Sequence, residues 1–246
     1  MLTDARTHTY QEHLDNALRR REFEILPPGG LQERTRAMLK VQDGCTNFCT
    51  YCIIPYTRGP IRSAPIPLAV EQARRLEAEG YREIVVTGIE VAGWGRDLPG
   101  KPPVWQLICA VCRAVPDLRI RLGSLEPRIV TEEFCRELAG LPNLCPQFHL
   151  SMQSGCDAVL ERMQKGHTAA AIVAAGQKAR RCGLALSVTA ISGLGSVELW
   201  RQHAVDTAKA VSEMKPDYLG LLTLMVEPGT PLAQWVREGS FTVLGP

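Results

Sequence analysis

Three cysteines within eight residues are the part of this sequence best suited to chemistry. Cys45, Cys49 and Cys52 follow the spacing C-x3-C-x2-C, and an aromatic residue, Tyr51, directly precedes the last of them. Three thiolates can hold three irons of a [4Fe–4S] cube and leave the fourth iron with an open coordination position. Such an iron can bind a small chelating ligand and pass it an electron. The spacing therefore predicts a redox-active iron–sulfur site.

Two other uses of these cysteines are less well supported. A structural zinc site has four ligands, usually in two close pairs, and no second close pair lies at a suitable distance. Thiols spaced this closely suit disulfides poorly, and nothing else in the sequence indicates secretion. Cys109 and Cys112 form a further C-x2-C, but they lie in a strongly amphipathic helical pattern. That pattern favours a place in the core over a ligand role.

Composition indicates an intracellular enzyme. The 246 residues are 45% hydrophobic, and 28 basic against 26 acidic residues give a net charge of +2, so any contact with nucleic acid must be local. Neither a membrane-spanning run nor a signal peptide is recognisable, and nine cysteines without a signal indicate a reducing compartment. We therefore expect a cytoplasmic protein without membrane contact.

Apolar runs typical of strands alternate with helical patterns from residue 38 onward. Six such alternations predict an α/β fold, with a parallel sheet wrapped by helices and curled into a partial, TIM-like (β/α)6 barrel. Residues 1–37 are predicted to be a lead-in or linker that lacks its upstream domain, and residues 38–246 the catalytic core. The predicted strands are residues 38–42, 83–87, 118–122, 147–150, 184–190 and 217–222.

Helix boundaries are marked by capping residues. Thr131 is predicted to begin a helix that ends at Gly140, and Thr168 to begin one that ends near Gly183. Polar or glycine-rich loops follow the first five predicted strands. The cysteine loop is the first of these five loops. Because the carboxyl ends of parallel strands share one edge, we expect these loops to form one site.

Four segments resemble the radical S-adenosylmethionine (SAM) methylthiotransferase family, closest to its members that act on N6-threonylcarbamoyladenosine in tRNA. They are residues 39–59 around the cysteines, 86–90, 122–127 and 148–155, and Glu161-Arg-Met163 fits as well. From about residue 184 onward, the sequence resembles another radical SAM group. The resemblance implies a radical SAM barrel, a [4Fe–4S] cluster on the three cysteines, and a transferase that cleaves SAM reductively. It also implies the tRNA anticodon loop as substrate and an electron donor such as flavodoxin or ferredoxin.

The strand-end loops offer contacts for each part of SAM. Gly88 would let the backbone approach closely, and Glu90 could accept a hydrogen bond from the ammonium group. Glu126, with Ser124 beside it, suits the ribose hydroxyls. Each of these residues could instead cap a helix or form a turn. The remaining predicted cofactor contacts are Tyr51, Gln153, Ile191 and Gly193, of which Tyr51 and the segment from Ile191 would face the adenine.

Arg58 and Arg62 flank the cysteine loop. They could contact RNA phosphates, or they could form salt bridges within the barrel. Two alternatives to a tRNA enzyme also stay open at this point. One is a radical SAM oxidoreductase or other modifying enzyme with a different substrate, and the other is an inactive iron–sulfur-binding fragment.

Overall fold

The computed structural model describes residues 16–25 and 35–245. Most of the predicted lead-in, residues 1–15 and 26–34, therefore lies outside the described residues. The strands are β1 (Arg36–Asp43), β2 (Arg62–Ser63), β3 (Glu83–Gly88), β4 (Arg119–Leu122), β5 (Ser124–Leu125), β6 (Gln147–Gln153), β7 (Ala185–Ser192) and β8 (Tyr218–Thr223). The α-helices are α1 (Ile54–Arg58), α2 (Ile66–Ala78), α3 (Val104–Ala114), α4 (Glu132–Ala139), α5 (Asp157–Arg162), α6 (Ala169–Arg181), α7 (Ser196–Met214) and α8 (Pro231–Glu238).

The strands form two four-stranded sheets that share one hydrophobic core. Their orders are β2-β1-β3-β4 and β5-β6-β7-β8, and every pairing is parallel except that of β2 with β1. A parallel bridge between Ile120 and Leu144 links β4 to the segment before β6. Side chains of both sheets, including Val86 and Phe148, lie in the same buried cluster. The predicted α/β fold with a curled, partly closed parallel sheet is confirmed.

All six predicted strands occur, as β1, β3, β4, β6, β7 and β8, with ends that differ by up to three residues from the predicted ranges. The two-residue strands β2 and β5 were not predicted, because runs this short carry no periodic signal. The predicted helix starts are confirmed. The hydroxyl of Thr131 accepts a hydrogen bond from the Phe134 N–H at 3.0 Å, and that of Thr168 from the Ala171 N–H at 3.2 Å.

The carboxyl ends of β1 and β6 are irregular. The register of β1 against β3 shifts between Lys40 and Gln42, and that of β6 against β7 shifts between Ser151 and Gln153. A β-bulge of this kind re-aims the side chain that follows it, and bulges are frequent beside functional sites. Both irregularities place a glutamine at the edge of the sheet where the cysteine loop begins.

The last strand and helix expose an apolar surface. All residues of β8 are exposed, among them Tyr218 and Leu221, and Trp200 on α7 is exposed nearby. On α7, Ala204 and Val211 line a groove, where Ala204 is exposed and Val211 is only partly buried against the core. Of the helices in the described residues, none combines the length and apolar character needed to cross a membrane.

Candidate functional site

The cysteine loop, residues 44–53, connects β1 to α1 and is anchored by backbone hydrogen bonds. The Cys45 N–H donates to the Gly59 carbonyl at 3.0 Å. Thr50, which is fully buried, donates its N–H to the Met163 carbonyl at 3.2 Å and accepts from the Leu232 N–H at 2.9 Å. The end of α5 and the start of α8 therefore hold the cysteine loop in place, although both helices are distant from it in sequence.

The three thiols influence one another electrostatically. Burial raises the pKa of the Cys45 thiol to about 11, with smaller contributions from the Glu90 carboxylate and the two partner thiols. Burial also raises the pKa of Cys49, although the Lys165 ammonium opposes this shift. The pKa of Tyr51 is raised by burial and then by all three thiols. The cysteines therefore lie within electrostatic reach of one another and of the charged groups at the sheet edge.

The donor set fits a cluster better than a single ion. Among residues 16–25 and 35–245, no three His, Cys, Asp or Glu side chains converge closely enough to ligate one metal ion. A [4Fe–4S] cube does not need such convergence, because each thiolate binds a different iron at the surface of the cube. The absence of a single-ion site in the described residues is therefore compatible with a cluster on the three cysteines.

Gln42 ties the cysteine loop to the loop after β3. Its side chain is fully buried, and its Nε2 donates to the carbonyls of Asp43 at 2.8 Å and Gly44 at 2.6 Å. Its Oε1 accepts a hydrogen bond from the Glu90 N–H at 2.7 Å. A Cβ at Gly88 would lie 2.9 Å from the Gln42 side chain, so only glycine leaves room for this arrangement. Gln42 thus fixes the backbone directly before Cys45.

Two networks of charged side chains surround the cysteines. Arg128 donates to the Glu90 carboxylate at 2.6 Å and to the Asn47 side chain at 3.4 Å. Glu126 contacts the Lys165 ammonium at 3.4 Å and the His167 ring at 3.6 Å. Burial raises the pKa of Glu90 to about 7, although Arg128 opposes the shift. Glu90 therefore titrates near neutral pH, whereas a glutamate in water titrates well below it.

Several buried polar atoms here have no partner. Glu90 Oε1, Gln153 Oε1 and His167 Nε2 are buried and make no hydrogen bond within the described part of the chain. Buried polar groups are nearly always hydrogen-bonded in native proteins, so orphaned atoms gathered at one edge indicate a polar ligand. Gln153 also has a φ of 61°, a conformation that residues other than glycine rarely adopt. These residues fit a polar cofactor such as SAM beside a cluster.

The raised pKa of Glu90 predicts a pH-dependent stability. Since the native carboxyl keeps its proton up to about pH 7, the unfolded chain binds fewer protons between about pH 4.5 and 7. The free energy of unfolding should therefore fall as pH rises through this window, by about 3 kcal/mol. We expect Glu90→Gln to flatten this dependence in urea unfolding of the metal-free protein, whereas Glu71→Gln, an exposed change on α2, should keep it. Equal slopes in the wild type and Glu90→Gln would contradict the assignment.

The other predicted cofactor contacts have different surroundings. Ser124 is exposed on β5, and Gly193 has a φ of 92° directly after β7. The Ile191 carbonyl accepts a hydrogen bond from His203 Nε2 at 3.0 Å, and Nδ1 of that ring bonds the Ser154 hydroxyl at 2.9 Å. His203 is buried and therefore joins the carboxyl ends of β6 and β7. Tyr51 is half-buried in a small apolar cluster that includes Ile191.

Arg58 and Arg62 differ in their exposure to solvent. Arg62 is only 3% exposed, donates to the Arg58 and Pro60 carbonyls at 2.8 Å, and lies 3.4 Å from Asp43. These contacts favour the salt-bridge interpretation for Arg62, because a buried and fully engaged guanidinium does not reach an RNA. The side chain of Arg58 is 51% exposed and only 4.0 Å from Asp43. Arg58 is therefore still accessible to a phosphate.

Sequence reasoning missed four residues of this site: Gln42, Arg128, Lys165 and His167. Gln42 lies in a strand, and its one signal is that it belongs to the segment 39–59 that resembles the methylthiotransferases. Lys165 and His167 directly follow Glu161-Arg-Met163, a segment that resembles the methylthiotransferases, so their place in the chain was the one available signal. Arg128 immediately follows the 122–127 segment. Position in the chain does not indicate which glutamate Arg128, Lys165 or His167 contacts.

Comparisons with known proteins show similarity to radical SAM enzymes. A sequence model of the radical SAM superfamily matches residues 39–207. Threonylcarbamoyladenosine tRNA methylthiotransferase MtaB from Rickettsia prowazekii is 37% identical over 202 residues, which cover 82% of this chain and 48% of that protein. The tRNA-2-methylthio-N(6)-dimethylallyladenosine synthase of Chlorobium luteolum is 39% identical over 134 residues, covering 54% of this chain and 30% of that protein.

Solved structures show the same fold. The radical SAM methyltransferase TsrM from Kitasatospora setae, with cobalamin and a [4Fe–4S] cluster bound, has a TM-score of 0.68 at 18% identity. The match covers 82% of this chain and 36% of TsrM. The chain spans about half the length of the MtaB proteins it matches.

Proposed function

Because this chain belongs to the radical SAM superfamily, we propose that it forms the SAM-cleaving part of a tRNA methylthiotransferase. Enzymes of this superfamily use a [4Fe–4S] cluster and SAM. The observation that supports the proposal most is the set of three cysteines that influence one another and Glu90 electrostatically, together with the unsatisfied Oε1 atom of Glu90. A core or zinc-binding role would not require that orphaned atom.

Each part of the site has a proposed task. Cys45, Cys49 and Cys52 would hold the cluster, which when bound supplies the electron that cleaves SAM to methionine and a 5′-deoxyadenosyl radical. The free Oε1 of Glu90 suits the ammonium group of SAM, and the Lys165 ammonium, which lies near Cys49, suits its carboxylate. The remaining proposed contacts with SAM are Tyr51, Gly88, Ser124, Glu126, Gln153, Ile191 and Gly193.

The proposed substrate is N6-threonylcarbamoyladenosine in the anticodon loop of tRNA. The names of the MtaB relatives support this choice, and a loop nucleotide can be unstacked and presented to a barrel mouth. The proposed compartment is the cytoplasm, with a flavodoxin or ferredoxin as electron donor. Arg58, the last residue of the helix α1 that follows the cysteine loop, is proposed to contact the RNA backbone.

A second candidate substrate is N6-dimethylallyladenosine. Relatives of this kind reach 39% identity, but over a shorter part of the chain. The two substrates differ in charge, since the threonylcarbamoyl group carries a carboxylate and the dimethylallyl group is apolar. A site that binds an anion beside the cofactor would favour N6-threonylcarbamoyladenosine as the substrate.

Anaerobic reconstitution with iron and sulfide tests the proposal. We expect an absorption band near that of other [4Fe–4S] proteins, and formation of 5′-deoxyadenosine from SAM when a reductant is added. A fully loaded protein that forms no 5′-deoxyadenosine would refute it. Mass spectrometry of tRNA nucleosides from cells with and without the gene then distinguishes the two substrates by the mass of the methylthiolated product.

A further inference from the structure

A basic cavity of about 300 Å³ lies beside the proposed cofactor site. It is lined by the loop after β3, the start of α3, the segment after β5 and the start of α4, so it opens at the same edge of the sheet as the cysteines. Its floor is apolar and aromatic, with Trp94, Trp105 and Phe134. Three cationic side chains, Arg96, Lys101 and Arg128, also line it.

The charge of the basic cavity is not neutralised by its own lining. Arg128 is paired with Glu90, and Arg96 acts on the same carboxyl at longer range, but neither Arg96 nor Lys101 forms a direct ion pair in the described ranges, and both are exposed. Glu133 is the single acid among the lining residues that the structure describes. Because the whole chain carries a net charge of only +2, this concentration of positive charge is a local feature.

The loop that carries the two unpaired cations is fixed in place. The Trp94 indole N–H donates to the Ala64 carbonyl at 2.9 Å, and the Gly95 N–H donates to the Ser63 hydroxyl at 2.9 Å. The Asp97 carboxylate accepts from the Ser63 N–H at 2.9 Å. Lys101 has a φ of 45°, a backbone conformation that is retained only where surrounding structure enforces it. A fixed loop reduces the entropy lost when a ligand binds.

The cavity also contains an unused donor. The Trp105 indole N–H is buried and has no hydrogen-bond partner among the described residues. The exposed side chains of Arg96 and Lys101 give the cavity donors without matching acceptors. An oxygen-rich anion supplies the missing acceptors.

We infer that the basic cavity binds an anionic group of the substrate RNA, next to the nucleotide that undergoes reaction. Arg128 lines the cavity and also contacts Glu90, so a group held there lies directly beside the proposed SAM site. This inference rests on the proposed function. The anion has two possible sources in that substrate, a backbone phosphate or the carboxylate of the threonylcarbamoyl group, and both offer the oxygen acceptors that arginine and lysine bind.

The test is RNA binding by the double variant Arg96→Gln Lys101→Gln. Fluorescence anisotropy with a labelled anticodon stem-loop should show about tenfold or greater loss of affinity at low salt. The salt slope should fall by about 1.4 to 1.8 if both side chains contact phosphates. The matched control is Arg74→Gln Arg113→Gln, which removes two exposed arginines from α2 and α3 and should bind as the wild type does. Thermal unfolding verifies that both proteins are folded.

Two RNAs identify the source of the anion. If the double variant loses affinity equally for a stem-loop with and without the threonylcarbamoyl group, the cavity binds a phosphate. If the loss is confined to the modified RNA, it binds the carboxylate. An unchanged affinity for both RNAs would overturn the inference and leave the proposed function intact. A wild-type protein that binds neither RNA would refute the proposed tRNA substrate, and the inference with it.

Discussion

Replacing Cys49 with alanine should abolish both the iron–sulfur absorption and the cleavage of SAM. Two protein thiolates cannot hold the cube that three hold, and Cys49 is the most buried of the three, so water does not readily replace it. The loss of activity should exceed the roughly 10–100-fold cost of removing an outer partner of a metal ligand. Iron and sulfide content, the absorption spectrum and 5′-deoxyadenosine formation measure the effect.

The control for this change is Cys182→Ala. Cys182 is half-buried at the end of α6, far in sequence from the cysteine loop, and its hydrogen-bond partner is another free thiol, Cys135. This variant should retain the iron content and the SAM cleavage of the wild type. A Cys49→Ala protein with undiminished iron content and activity would contradict the assignment of the cluster to this loop.

Changing Gln42 should have the second-largest effect, because this side chain fixes two loops of the site at once. Gln42→Leu leaves the Asp43 and Gly44 carbonyls and the Glu90 N–H without their buried partner. We expect the free energy of unfolding to fall by about 1–3 kcal/mol. We also expect affinity for the cluster or for SAM to fall roughly 10–100-fold, as when other groups that orient a metal ligand are removed.

A positioning role for Gln42 can be separated from a merely structural one. Gln42→Glu keeps the shape and the acceptor for Glu90 but loses both donors to the carbonyls before Cys45. Gln72→Leu, at a buried glutamine on α2, serves as the control for loss of a buried amide. Electron paramagnetic resonance of the reduced protein with SAM should change in both Gln42 variants and not in Gln72→Leu. If Gln42 variants lose stability but keep the wild-type spectrum and SAM affinity, Gln42 has only a structural role.

Local patterns allowed the sequence to predict most of the fold. The period of the apolar residues predicted all six long strands, and the hydroxyl residues Thr131 and Thr168 predicted two helix starts, because capping and periodicity involve residues within a few positions of one another. The stripe on α3, from Val104 to Val111, is buried for the same reason. Periodicity does not indicate which neighbour covers a helix. The sequence therefore did not predict that apolar positions of α7 line a groove.

The sequence alone predicted the cysteine trio, because three proposed ligands on one short loop need no tertiary contact to be near each other. The charged shell around it was decided by the tertiary structure. Arg128 meets Glu90 across 38 residues, and Lys165 meets Glu126 across 39. Such pairs depend on the register of parallel strands and on the bulges at their ends. Arg62 likewise turned inward to Asp43 because β2 pairs antiparallel with β1. Spacing along the chain places the three cysteines near one another, because they lie on one short loop. The charged groups around them come from distant segments and meet only when the strands pair.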